Sequence, residues 1–163
     1  MTEQKNGTAL IWLWLVVLVV VLDLATKYLA NTSLPYGIPH PQLPVFDLTL
    51  LYNKGAAFSF LADAGGWQRW FFAVVAFVVS GVLLVWMYRT PKSQRWLGCS
   101  LALVLGGALG NLYDRVVQGY VIDFISVHYN NYYFPAFNLA DTAITIGAIM
   151  LIIDMLWFSQ ANK

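Results

Sequence analysis

Charge is what this chain of 163 residues has least of. Lys, Arg, Asp and Glu together make up 10% of it, against about 25% in a typical soluble domain. The net charge is +1 and no basic patch is present, which removes the usual footprint of a nucleic-acid partner. A single cysteine, Cys99, excludes an internal disulfide and a multi-cysteine metal site. The two histidines, His40 and His128, lack the i, i+4 helical spacing of a zinc peptidase. All three residues read as structural. Ser59, Ser80, Ser100 and Ser126 have no G-x-S-x-G setting, so a nucleophilic serine is unsupported. Phosphate-cradling and dinucleotide patterns are missing, and there is no internal repeat or low-complexity tract.

What remains is apolar. Hydrophobic residues make up 60% and aromatics 16%, and the mean hydropathy is +0.65. The length suits one domain over residues 1–163. Four apolar runs approach the 20 or so residues needed to cross a bilayer. They cover about 8–30, 67–88, 96–114 and 138–158. Lys5 before the first run resembles a signal-peptide start. The run is too long for one, however, and no small-x-small cleavage site ends it, so it reads as a retained span. Trp67, Trp70, Trp86, Trp96, Tyr113 and Trp157 fall near span ends, where amphipathic rings favour the interface.

The short link between the second and third spans carries Arg89, Lys92 and Arg95 with no acid. The positive-inside rule puts it, and both termini, in the cytoplasm. Residues 31–66 and 115–136 then face outward. Residues 45–52 read as a strand, with turn formers before and Asn53-Lys54-Gly55 as a turn after it. The expected fold is therefore all-α and membrane-embedded. A small β-rich outer segment, about 31–66, lies between helices one and two. Tyr52 to Leu61 is apolar enough to dip into the outer leaflet or clamp a bound chain.

The few acids converge on one mouth of this bundle. Asp114 ends the third span, Asp141 begins the fourth, Asp123 lies in the outer loop between them, and Asp23 sits in the outer half of the first. Carboxylates near a bilayer core are costly, so they have a partner or a task. Asn138-Leu139-Ala140-Asp141 reads as a capping box that also favours an ionised Asp141. Asp123 is flanked by Val121, Ile122, Phe124 and Ile125, and the desolvation this implies suits a proton donor. Two such carboxyl groups can activate water. Asp23 and Lys27 are spaced i, i+4 and read as an internal ion pair. Asn111, Asp114 and Arg115 share a helix face and read as polar support for the loop and the reacting acids. Gly106 and Gly110 form a small-xxx-small pair for helix packing, and Asp154 lies at the far end of span four. A proton- or ion-coupled transporter is the main rival reading. It is disfavoured by acids at one mouth rather than at the midplane. A membrane scaffold whose acids are caps and ion pairs is the second.

Five blocks, taken together, resemble the lipoprotein signal peptidases. They are Asp23…Thr26-Lys27, Asn53 to Phe58, Gly107 to Arg115, Val121 to Phe124, and Phe137 to Asp141. The resemblance implies a multi-pass aspartic endopeptidase of the bacterial inner membrane, active near the outer leaflet. It implies cleavage of prolipoproteins just before a diacylglyceryl-modified cysteine, with no metal or cofactor. It implies contact with membrane lipid and inhibition by the cyclic peptide globomycin. The family's catalytic pair maps onto Asp123 and Asp141. Its supporting positions map onto Asp23, Lys27, Asn53, Gly107, Asn111, Asp114, Arg115, Asn138 and Ala140. The Gly-x-Gly-Asp motif of presenilin-like intramembrane peptidases is missing here.

Overall fold

The structure is a computed structural model and describes residues 7–55 and 65–158. The reading of Ala56 to Leu61 as a clamp or membrane-dipping segment falls outside those residues.

Four helices form where the apolar runs lie: α1 (Leu13–Ser33), α2 (Trp67–Arg89), α3 (Arg95–Val117) and α4 (Leu139–Ile153). A single 3-10 turn, Ala9–Trp12, leads into α1, and a π turn, Asp154–Phe158, continues α4. All four stretches are long and apolar enough to cross a membrane. Their outward faces carry Val17, Val21, Phe77, Val82 and Ile149, each at least half exposed. Water would not tolerate so continuous an apolar surface, whereas lipid would.

Helix α3 is the centre of the bundle and packs against α1, α2 and α4. Small residues permit this. A Cβ on Gly107 would collide with the backbone carbonyl of Ala140 on α4. One on Gly110 would lie 2.5 Å from the Asp23 carboxylate of α1. The expected Gly106–Gly110 pair therefore faces α1, while Gly107 serves α4. Leu101, Ala102, Leu105, Val16, Leu83 and Met87 fill the space between.

One end of the bundle carries a four-stranded antiparallel sheet in the order β1 (His40–Leu43), β2 (Phe46–Asn53), β3 (Val121–Tyr129) and β4 (Tyr132–Tyr133). This corrects the expectation of β structure only between the first two helices. Half of the sheet comes from the link between α3 and α4. It also corrects Asp123 from a loop acid to a strand residue. The pairs Leu51↔Asp123, Tyr52↔Ile122 and Asn53↔Val121 fix β3 on β2, just beyond a register shift between Leu48 and Leu51. Ala30 of α1 packs with Leu50, Ile122 and Phe124, which seats the sheet on the helices.

His128 also has more company than the sequence suggested. It lies 3.4 Å from the buried Asp47 on β2 and stacks on Tyr133 of β4, with centroids 4.8 Å apart. It therefore ties three of the four strands together.

Candidate active site

Asn138 is the N-cap of α4, and its side chain accepts the Asp141 amide at 2.9 Å. The Asp141 carboxylate accepts the Asn138 amide in return at 3.3 Å. The expected capping box is thus present, and it fixes the Asp141 side chain at the start of α4. The free end of the Asn138 amide points the other way and donates to Asp123 Oδ1 at 2.8 Å. Asn53, the last residue of β2, donates to Asp123 Oδ2 at 3.0 Å. Its own oxygen accepts the Gly55 amide at 3.0 Å, closing the expected turn. Asn111 of α3 donates to Asp141 Oδ1 at 2.8 Å. Each carboxylate is therefore held by an amide side chain from another element.

Behind the pair lies a buried ionic knot. The Lys27 ammonium meets Asp23 Oδ2 at 2.7 Å, Asp114 Oδ2 at 2.9 Å and Asn111 Oδ1 at 2.9 Å. An ammonium has three protons to donate, and all three are used. The predicted Asp23–Lys27 pair is present, with Asp114 as a further partner that the sequence did not suggest. Asp23 Oδ1 accepts the Ala140 amide at 2.9 Å, and Asp114 Oδ2 accepts the Ile122 amide at 3.4 Å. The knot thereby grips the first turn of α4 and the start of β3, the two segments that carry the carboxylates. Arg115 donates to the carbonyls of Gly55 and Asn111, both at 3.3 Å. Gly107 and Ala140 contribute through the α3–α4 contact, where the two backbones touch.

Asp123 and Asp141 line one cavity of about 480 Å³, together with Asn53, Asn111 and Arg115. Its other walls include Phe134, Phe137, Ile144 and Ile146. An apolar cleft with a few convergent polar groups is the usual form of a ligand site. Asp123 is 3% exposed. Burial pushes its carboxyl up from 3.8 to about 7, and the neighbouring Asp141 charge adds to the shift. One site thus holds two carboxyl groups in different environments, the arrangement that separates a proton donor from a proton acceptor. No group of three or more possible metal ligands occurs among the described residues.

The family model for signal peptidase (SPase) II matches residues 15–157. The chain belongs to the signal peptidase II family. The lipoprotein signal peptidase of Pseudomonas putida is 59% identical over 148 residues, covering 90% of this chain and 86% of that protein. That of Acinetobacter baumannii is 56% identical over 151 residues, covering 93% and 86%. A solved bacterial membrane enzyme matches with a TM-score of 0.85 at 31% identity, over 98% of this chain and 95% of that one. A second gives a TM-score of 0.81, also at 31% identity, over 95% and 98%. This signal peptidase II homologue is therefore a multi-pass membrane protein of a peptidase family.

Sequence reasoning missed one residue at the site's edge. Arg69 of α2 donates to the carbonyls of Arg115 and Val116, both at 2.7 Å, at the C-terminus of α3. Its guanidinium also lies over Trp70, 4.7 Å from the ring centroid. The only signal was an arginine close to the start of an apolar span. Its partners are backbone carbonyls, which no side-chain pattern reveals.

Proposed function

We propose that this protein is an aspartic endopeptidase that removes signal peptides from diacylglyceryl-modified prolipoproteins, cutting just before the lipidated cysteine. The observation that carries the reading is the shared cavity of Asp123 and Asp141, with Asn138 bonded to both. Family membership supports the substrate class.

Asp141, at a helix N-terminus that favours its charge, is the base. It takes a proton from a water molecule, whose oxygen attacks the scissile carbonyl carbon. Asp123, buried and holding a proton near neutral pH, hydrogen-bonds the carbonyl oxygen as negative charge builds there. Collapse of the tetrahedral intermediate breaks the C–N bond. The proton gained by Asp141 passes to the leaving amine, and Asp123 is again the protonated partner. The apolar walls at Phe137, Ile144 and Ile146 suit a signal-peptide helix or its lipid.

The orientation follows from charge. Arg89, Lys92 and Arg95 at the end of the bundle opposite the sheet are cytoplasmic. The dyad then faces the outer leaflet of a bacterial inner membrane, where the lipidated cysteine of a translocated precursor lies. Globomycin, a cyclic peptide, would compete in the same cleft.

The test is cleavage of a lipid-modified prolipoprotein peptide by the purified protein, with Asp123→Asn and Asp141→Asn beside it. The reading expects loss of cleavage in both variants and none with the unmodified peptide. Cleavage that persists in either folded variant would overturn the mechanism. Equal cleavage of the unmodified peptide would overturn the substrate class.

A further inference from the structure

The end of the bundle opposite the sheet holds a second built cavity, of about 690 Å³. It is lined by Ile11 and Trp12 of the 3-10 turn, Trp14 of α1, Lys92 and Ser93 of the link between α2 and α3, and Arg95 at the start of α3. We propose that it is a binding site for the phosphate headgroup of an anionic phospholipid.

The two sides of this cavity are held together by backbone. Ala9 donates to the Thr90 carbonyl and Lys92 to the Gly7 carbonyl, both at 2.8 Å, and Thr8 bridges Pro91. The link itself is tightened by Gln94 donating to Pro91 at 3.0 Å and Arg95 to Ser93 at 2.9 Å. Trp12 is fixed from behind. Its indole lies so close to Gly98 of α3 that a Cβ there would sit 2.6 Å from the ring. Trp14 stacks beside it, with centroids 5.9 Å apart.

Against this frame stand two cations, Lys92 and Arg95, with no acid paired to them among the described residues. Two like charges facing one cavity repel until an anion enters, and a phosphate matches both an arginine fork and a lysine point charge. The adjoining wall favours a lipid over a free anion. Ile11 and Trp14 are 64% and 58% exposed on the same rim. They offer an acyl chain its apolar track directly below the headgroup. Paired tryptophans belong at this depth of a bilayer, and basic pockets between spans suit anionic headgroups.

Native mass spectrometry of the full chain in neutral detergent reads the site directly, with phosphatidylglycerol and phosphatidylcholine as probes. Phosphatidylglycerol should bind at least about tenfold more tightly, from two cations at the headgroup. The Lys92→Gln/Arg95→Gln variant should lose that preference. Arg89→Gln, on the same side but outside the cavity, should keep it. The charge-preserving exchange Lys92→Arg/Arg95→Lys should also keep it, which separates lost charge from lost fold. Unchanged selectivity in the double glutamine variant overturns the proposal. Equal loss in Arg89→Gln overturns it too, in favour of a diffuse basic face. Displacement of the lipid by millimolar inorganic phosphate reassigns the cavity to a free anion.

Discussion

Lys27 and Asp114 meet at 2.9 Å with side chains that are 1% and 0% exposed. They come from different helices; Asp114 also accepts the Ile122 amide of β3, and Lys27 links it to Asp23, which accepts the Ala140 amide of α4. Removing one partner of such a pair leaves a buried charge uncompensated, at about 3–5 kcal/mol. Lys27→Met should therefore lower the unfolding free energy in detergent by that order. Adding Asp114→Asn to Lys27→Met should recover part of the loss, because one orphaned charge is then gone. Unfolding curves of the two variants check the sign of this coupling. Simple additivity would mean that the two side chains do not share the ionic contact.

Asn138 caps α4 by accepting the Asp141 backbone amide, and its side chain donates to the Asp123 carboxylate. Asn138→Ala should destabilise the protein by about 1 kcal/mol for the lost cap. Its effect on turnover should be larger than that implies. The Asp123–Asp141 geometry loosens, while the apolar walls of the cavity stay in place. The expected outcome is a fall in kcat with KM nearly unchanged. A rise in KM alone would place Asn138 in substrate binding instead.

The raised Asp123 carboxyl predicts two pH effects of defined sign. Activity that needs Asp123 protonated should fall as pH rises through about 7, giving the alkaline limb of the kcat/KM profile. Stability should fall over the range below that value. Between the ordinary carboxyl value of 3.8 and about 7, the folded protein holds a proton that the unfolded chain has released. The unfolding free energy therefore declines as pH climbs through that window. It flattens above the folded value. Asp123→Asn should abolish this slope while leaving helical circular dichroism unchanged, and a persistent slope would assign it to another group.

Gly107→Ala puts a methyl group into the Ala140 carbonyl, so α3 and α4 must separate. Overpacking of this kind costs about 1–3 kcal/mol. Separation of the two helices should also stretch the 2.8 Å Asn111–Asp141 contact and slow cleavage. Gly81→Ala on α2 is the matched control, since nothing lies within 4 Å of the added carbon. Comparable losses in both variants would point to a general intolerance of alanine rather than to helix spacing.

The sequence made the helices legible because lipid imposes a simple demand, a long apolar run, that no other environment repeats. Strand β2 was legible to within a residue through its β-branched and aromatic content, and Asn138 through the cap pattern. Strand β3 was not. Val121, Ile122, Asp123 and Phe124 are all buried, so no alternation marks them as a strand. Their pairing with β2 is a long-range fact: Asn53 and Asp123 stand 70 residues apart. The carboxylates could be placed at one mouth by counting helical rise. Their donors could not be assigned that way, because Asn53, Asn111 and Asn138 reach them only through the tertiary fold.

The Asp23 carboxylate grips the amide of Ala140, and 117 residues separate them in the chain. A ribosome delivers the first of these long before the second, and helices enter the membrane in that order. Until the last helix inserts, Asp23 has no Ala140 amide to hold, Asn111 has no Asp141, and Asp123 has no Asn138. The nascent chain therefore cannot complete the contacts around Asp123 and Asp141 before its last helix is in place. Its biogenesis carries a built-in delay that ends with the insertion of the fourth span.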